Sequence, residues 1–212
     1  MSGKTDPQRS DAGQDSARGV SRRSLLIGGL AAGGLVVGWT LWPRQYRPGF
    51  AATDNEQVFD AWLKIARDGQ VTVALPQAEL GQGVYTQLAQ IVCGELGADW
   101  RTVAVQPAAI NPLFSNSLLA REWAPAVLPA RAEQAEDEPV VGEALEELAT
   151  RGTFMVTAGS SSVRMFERPA RVAGATARVL LCQAAAARWD VPWESCQAVN
   201  GFVTHGRERL RF

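Results

Sequence analysis

The chain has 212 residues, a formal net charge of -1 and a pI near 5.9, a balance that excludes the basic face on which nucleic-acid binding depends. Its 46% hydrophobic content beside 20% charged residues suffices to bury a core and excludes disorder for the middle of the chain. The three cysteines, Cys93, Cys182 and Cys196, match no metal-ligand spacing, so no metal site is read from them.

Residues 1–20 are polar and show no apolar periodicity, and no fold is expected there. Ser21-Arg22-Arg23-Ser24-Leu25-Leu26-Ile27 then sets an arginine pair against an apolar run from Leu25 to Trp42, the pattern of a twin-arginine export signal. The run is also about long enough to cross a bilayer as a helix, although Gly28, Gly29, Gly33, Gly34 and Gly38 weaken it. A cleaved signal and a retained anchor through residues 25–42 both stay open. The expected location is periplasmic, or periplasm-facing with an inner-membrane anchor if the leader is kept. A route that carries folded proteins also points to a cofactor acquired before export.

The organisation expected is 1–48 as leader, 49–56 as linker and 57–212 as one α+β domain of mixed β-hairpins and helices. Phe59 to Ile65 alternates apolar and polar residues, Asp68-Gly69 supplies a two-residue turn, and Val71 to Leu75 resumes the alternation, which predicts a hairpin. Pro76 ends it, and Gly81-Gln82-Gly83 opens a helix from Tyr85 to Leu96. Val103 to Pro107 reads as a further strand. Prolines break up 111–152, where Glu133 to Glu138 reads as a solvated acidic face and Glu143 to Thr150 as a helix. Thr157-Ala158-Gly159-Ser160-Ser161-Ser162 is a second small-residue loop before a long helix from about Pro169 to Trp189. Trp193 to Cys196 adds a short turn, and Asn200-Gly201 turns the chain into Phe202 to His205.

Two loops are candidate binding elements. Gly81-Gln82-Gly83 and Gly159-Ser160-Ser161-Ser162 each precede a helix, where free N–H groups, close backbone approach and serine hydroxyls suit phosphate or pterin oxygens. The Gln82 amide, with donors and acceptor together, matches a heterocycle edge better than a phosphate. Plain capping turns would satisfy the same pattern. The single histidine, His205, reads as a surface or turn residue with no triad partner. Glu79, beside the first loop, reads as an exposed or capping acid. Cys93 and Cys182 read as small buried thiols, and a Cys182–Cys196 disulfide would need their Cβ atoms to approach.

Trp62-Leu63-Lys64-Ile65-Ala66, Asp68 to Val73, and Glu79-Leu80-Gly81-Gln82-Gly83-Val84-Tyr85-Thr86 resemble the molybdopterin-binding subunit of the xanthine dehydrogenase and aldehyde oxidase family. Isoquinoline 1-oxidoreductase β-type subunits are the nearer likeness. Thr157 to Arg164, Ala173 to Arg178 and Trp189 to Cys196 resemble that family's next block in the same order, so the likeness spans 57–205. It implies a partial molybdenum-cofactor-binding domain after the apolar leader. Gly81, Gln82 and Gly83 would contact the molybdenum pterin. Gly159, Ser160, Ser161 and Ser162 would hold its pterin or dinucleotide phosphates, the cytosine dinucleotide form among them. Ala158-Gly159 stands where the family carries a glycine pair.

The likeness further implies oxidation of an aldehyde or N-heterocycle, with electrons passed to a 2Fe-2S subunit and a cytochrome c. Family members are longer and place a catalytic glutamate near their C-terminus, in a segment with no counterpart here. The chain is therefore expected to be inactive alone, and a separate chain could supply the missing part. The alternative is a non-catalytic exported binding or assembly module that retains this part of the fold.

Overall fold

The computed structural model describes residues 49–127 and 139–212, all within the unit Tyr46–Phe212. The expected leader and the acidic stretch from Glu133 to Glu138 lie outside the described residues. The architecture is α+β. The elements in chain order are β1 (Glu56–Val58), β2 (Leu63–Ala66), β3 (Val71–Leu75), α1 (Val84–Leu96), β4 (Val103–Pro107), α2 (Ser117–Val127), α3 (Pro139–Arg151), α4 (Ser162–Trp189), β5 (Gln197–Val199), β6 (Phe202–His205) and β7 (Glu208–Arg211). Short 3₁₀ turns occupy Trp100–Thr102, Pro112–Phe114 and Trp193–Ser195.

The first sheet runs β1-β2-β3-β4, antiparallel except for the parallel pair β3–β4. A parallel pair needs a crossover, which α1 provides. The β2–β3 hairpin forms as the alternation predicts, with Leu63 opposite Val73 and Ile65 opposite Val71. Its turn is one residue longer than expected. Arg67, Asp68 and Gly69 lie between Ala66 and Gln70, which are linked by a 2.9 Å backbone bond, and Gly69 takes the left-handed conformation at φ 84°. That is the geometry of a three-residue loop with a glycine bulge. The alternation from Phe59 is also interrupted, because Asp60 Oδ1 accepts the Trp62 and Leu63 N–H groups at 2.7 and 3.0 Å. The pairing before this turn falls to β1, which the sequence reading did not contain.

The core forms where α1 and α4 cover this sheet. Leu63, Val71, Val73 and Leu75 from the strands meet Val84, Leu88, Val92 and Leu96 of α1 and Phe166, Ala170, Ala173 and Ala177 of α4. Each large aliphatic or aromatic side chain so buried contributes about 1.5–3 kcal/mol. Trp62 packs edge-on to Phe114 at 5.3 Å and obliquely on Phe166 at 6.0 Å. α4 begins at Ser162, not near Pro169, and Pro169 lies inside it. Proline commonly marks a first turn, but here buried Phe166 and Ala170 fix the helix on both sides of it.

The second sheet is the meander β5-β6-β7. Asn200 and Gly201, both at positive φ, close its first hairpin as the dipeptide predicts. Gly201 N–H donates to Gly97 O at 2.9 Å, which ties this turn to the C-terminal end of α1.

Candidate functional site

The Gly81-Gln82-Gly83 loop connects buried Gln77 to α1. Gly81 (φ 92°) and Gly83 (φ 78°) both occupy the left-handed region, and a Cβ at either would meet nothing within 4 Å. Backbone conformation, not crowding, therefore requires glycine here, and the space above both residues is open. Within the loop the polar groups are paired. Glu79 Oε1 accepts the Gly81 and Gly83 N–H groups at 2.8 and 3.0 Å, and Oε2 accepts Tyr85 N–H at 3.0 Å. The N–H groups of Tyr85 first, then Gly83, hold the Glu79 carboxyl below the usual carboxylate range. Gln82, though exposed, folds back along its own loop, its Oε1 accepting Leu80 N–H at 2.5 Å and its Nε2 donating to Ala78 O at 2.7 Å.

This pairing changes what the loop can offer. Glu79 already places a negative charge on the free N–H groups at the start of α1, where an anion would otherwise sit. A phosphate there would face a carboxylate. Gln82 keeps one amide N–H and one oxygen lone pair beyond the bonds described, a donor and acceptor side by side at an open edge.

The second loop is anchored from beneath. Gly159 and Ser160 both have positive φ, at 61° and 52°. Ser160 is exposed, whereas Ser161 is fully buried. Ser161 Oγ donates to Ala158 O at 2.7 Å and accepts from Asn116 Nδ2 at 2.7 Å. Asn116, itself 0% exposed, also donates from Nδ2 to Val156 O at 2.9 Å and accepts Leu119 N–H on Oδ1 at 3.1 Å. One amide thus caps α2 and fixes the serine loop. A Cβ on Gly159 would lie 2.9 Å from Leu119 Cδ1, so α2 packs directly under the turn.

The two loops are joined across the fold. Ala78 N–H donates to Thr157 Oγ1 at 2.8 Å, and Ser162 Oγ donates to Gln77 Oε1 at 3.0 Å. Gln77 is 3% exposed, and its Nε2 donates to Pro76 O. The structure therefore brings Gly81, Gln82 and Gly83 into one framework with Gly159, Ser160, Ser161 and Ser162, with Ser161 and Ser162 serving as struts and Ser160 left outward. Sequence reasoning did not include Asn116 or Gln77. Asn116 carried a readable signal, an asparagine directly before a new helix; Gln77 carried none.

The remaining candidates lie elsewhere. His205 Nδ1 is 3.0 Å from Ser195 Oγ, and its ring lies 6.4 Å from that of Trp189. The shorter 2.6 Å bond to Pro192 O takes the Ser195 hydroxyl proton, leaving Oγ to accept from Nδ1–H. That arrangement pins the 3₁₀ turn and does not activate a nucleophile. The cysteines are free and buried, and burial pushes the Cys93 thiol up to about 12. Among the described residues no group of three His, Cys, Asp or Glu could hold a metal, and no helix is long and apolar enough to cross a membrane.

The family model of the molybdopterin cofactor-binding domain matches residues 22–113, a stretch that includes the Gly-Gln-Gly loop and stops before the serine loop. The chain is 34% identical over 151 residues to the isoquinoline 1-oxidoreductase subunit beta of Brevundimonas diminuta, covering 71% of this chain and 15% of that protein. It is 26% identical over 207 residues to the membrane-bound aldehyde dehydrogenase [pyrroloquinoline-quinone] of Gluconacetobacter polyoxogenes, covering 94% of this chain and 22% of that protein. The chain thus spans 15% and 22% of the lengths of these two relatives. With a matched cofactor-binding domain around Gly81-Gln82-Gly83 and this likeness to an oxidoreductase β subunit, the chain belongs to the family of molybdopterin-binding oxidoreductase subunits.

Proposed function

We propose that this chain presents the Gly81-Gln82-Gly83 and Gly159-Ser160-Ser161-Ser162 loops to a molybdenum pterin cofactor within a larger exported oxidoreductase. The observation that carries this reading is the joining of the two loops through Thr157–Ala78 and Ser162–Gln77, which makes one preformed surface beneath an open space. Residues fixed before a ligand arrives need less ordering when it binds. The fit is to a neutral heterocycle edge: Gly81 and Gly83 allow close approach, Gln82 offers a donor and an acceptor, and Glu79 keeps an anion away from α1. Ser160 adds an outward hydroxyl at the second loop, the place left for a phosphate of a dinucleotide form such as the cytosine dinucleotide.

When bound, the cofactor supplies the redox centre for oxidation of an aldehyde or N-heterocycle. Gln82 and the glycines orient it. Glu79 is held as an anion by three backbone N–H groups and is not placed to act as a base. The general base therefore comes from polypeptide outside these residues, in keeping with the fraction of its relatives that the chain spans. By the same reading these residues are inactive without further cofactor-binding segments, and the partners are a 2Fe-2S subunit and a cytochrome c. Ser21-Arg22-Arg23 followed by the apolar run from Leu25 to Trp42 supports export through the twin-arginine route to a periplasm-facing position.

The test is metal and pterin analysis of the full chain purified from its native host with whatever co-purifies, in wild type and Gln82→Ala. Molybdenum and pterin in wild type, reduced at least several-fold in Gln82→Ala, support the reading. Their absence from wild type overturns it in favour of a non-catalytic binding or assembly module. That second reading is favoured by one observation, the capture of the Gly81, Gly83 and Tyr85 N–H groups by Glu79, which lets the first loop stand without a ligand.

A further inference from the structure

We propose that Cys182 and Cys196 form an oxidisable thiol pair, a modification site whose disulfide ties the second sheet to α4 while Cys93 stays reduced. Cys182, Ala185, Ala186 and Trp189 recur at helical spacing and so share one face of α4. The helix ends at Asp190, which takes the left-handed conformation at φ 55°. Val191 N–H returns to Ala186 O at 3.2 Å, and the 3₁₀ turn closes with Cys196 N–H donating to Trp193 O at 3.0 Å. The chain has then reversed, and Cys196 enters the apolar cluster whose other buried members are Cys182, Ala185, Ala186 and Val203.

Both thiols are nearly sealed there, at 4% and 8% exposure, and alanine is the only buried residue type that α4 sets beside them. Burial first, and then proximity to Cys196, raises the Cys182 thiol above its usual range. Cys93 belongs instead to the core cluster that α1 forms with the first sheet.

The reaction balances with a diazenedicarboxamide oxidant. Each thiol gives up its proton, one sulfur adds to the N=N bond, and the second sulfur attacks the first, forming the S–S bond as the new S–N bond breaks and the hydrazine leaves. Two electrons and two protons leave on the resulting hydrazine. A protein disulfide of an oxidising compartment would accept the same two. The closed loop is short and restrains the unfolded chain.

The full chain, folded and treated with diamide, is alkylated, denatured and digested with trypsin without reduction. The expected product joins the peptide after Arg178 to the peptide after Arg188, two hydrogens lighter than the separate peptides, with Cys93 recovered as an unlinked peptide. Cys93→Ser should still form it, and Cys196→Ser should not. Recovery of all thiols, stable separate adducts at Cys182 and Cys196, or linkage through Cys93 would overturn the proposal. No cofactor enters the experiment, so either outcome leaves the cofactor reading untouched.

Discussion

Ala78 N–H donates to Thr157 Oγ1 at 2.8 Å across a separation of 79 residues. A strand exit and a helix entry, each unremarkable alone, become one surface through this bond and the neighbouring contact of Ser162 with Gln77. Thr157→Val keeps the shape of the side chain and removes the acceptor. The expected loss is about 1 kcal/mol, the net worth of one neutral hydrogen bond, with Thr157→Ser close to wild type. Urea denaturation measures both. The loop 78–83 should also be cleaved faster by protease in the valine variant, and an unchanged cleavage rate would show that the bond does not hold the loop.

Asn116→Ala should cost more. The amide is fully buried and serves Val156 O, Ser161 Oγ and Leu119 N–H at once, so its removal strands several groups away from water. At about 1–3 kcal/mol for each unsatisfied buried group, and with Ser161 still able to donate to Ala158 O, a total near 3 kcal/mol is expected. The measurement is the denaturation midpoint at unchanged slope. A loss no larger than that of Thr157→Val would mean that water replaces the amide.

Glu79 gives the pH dependence a sign. Its folded pKa lies below the ordinary value of 4.5 because the Tyr85, Gly83 and Gly81 N–H groups favour the anion. The unfolded chain therefore binds more protons in the interval between the two values, and stability rises with pH there. The contribution is complete above 4.5 and is lost as pH falls through the lower folded value. Hydrogen exchange at the amides of Gly81, Gly83 and Tyr85 should accelerate on acidification beyond its intrinsic pH dependence in wild type. Glu79→Gln, which keeps an acceptor but not the charge, should flatten that response, and Glu79→Ala should remove protection at every pH. A wild-type response in Glu79→Gln would place the titrating group elsewhere.

Much of this fold was legible because its signals are local. Val71 to Leu75, Tyr85 to Leu96 and the Asn200-Gly201 turn each follow from alternation, helical periodicity or left-handed preference within a few residues. The structure moved the boundaries where a side chain competed with the backbone. Asp60 captured two N–H groups and broke the first strand, and buried Phe166 drew α4 past Pro169 toward its true start. The candidate loops were visible as glycine and serine clusters, but their internal pairing was not, since no spacing rule says that Glu79 folds onto Gly81, Gly83 and Tyr85. Gln77 and Thr157 are likewise long-range choices, made only when the segment after β3 meets the start of α4.

Two helical glycines should respond in opposite directions to the same substitution. Gly94 in α1 has nothing within 4 Å of an added Cβ, so Gly94→Ala gains helix propensity, about 0.5–1 kcal/mol. Gly174 in α4 has the same intrinsic preference, but its Cβ would collide with Val92 O and stand 3.0 Å from Glu95 Cβ. That backbone carbonyl cannot swing away without parting α1 from α4. Overpacking of this kind costs about 1–3 kcal/mol, which exceeds the propensity gain and leaves Gly174→Ala net destabilising. Thermal denaturation of both variants and the pair decides it. A stabilised Gly174→Ala would mean that the helices separate at little cost and that their close approach does not position the start of α4 beneath the serine loop.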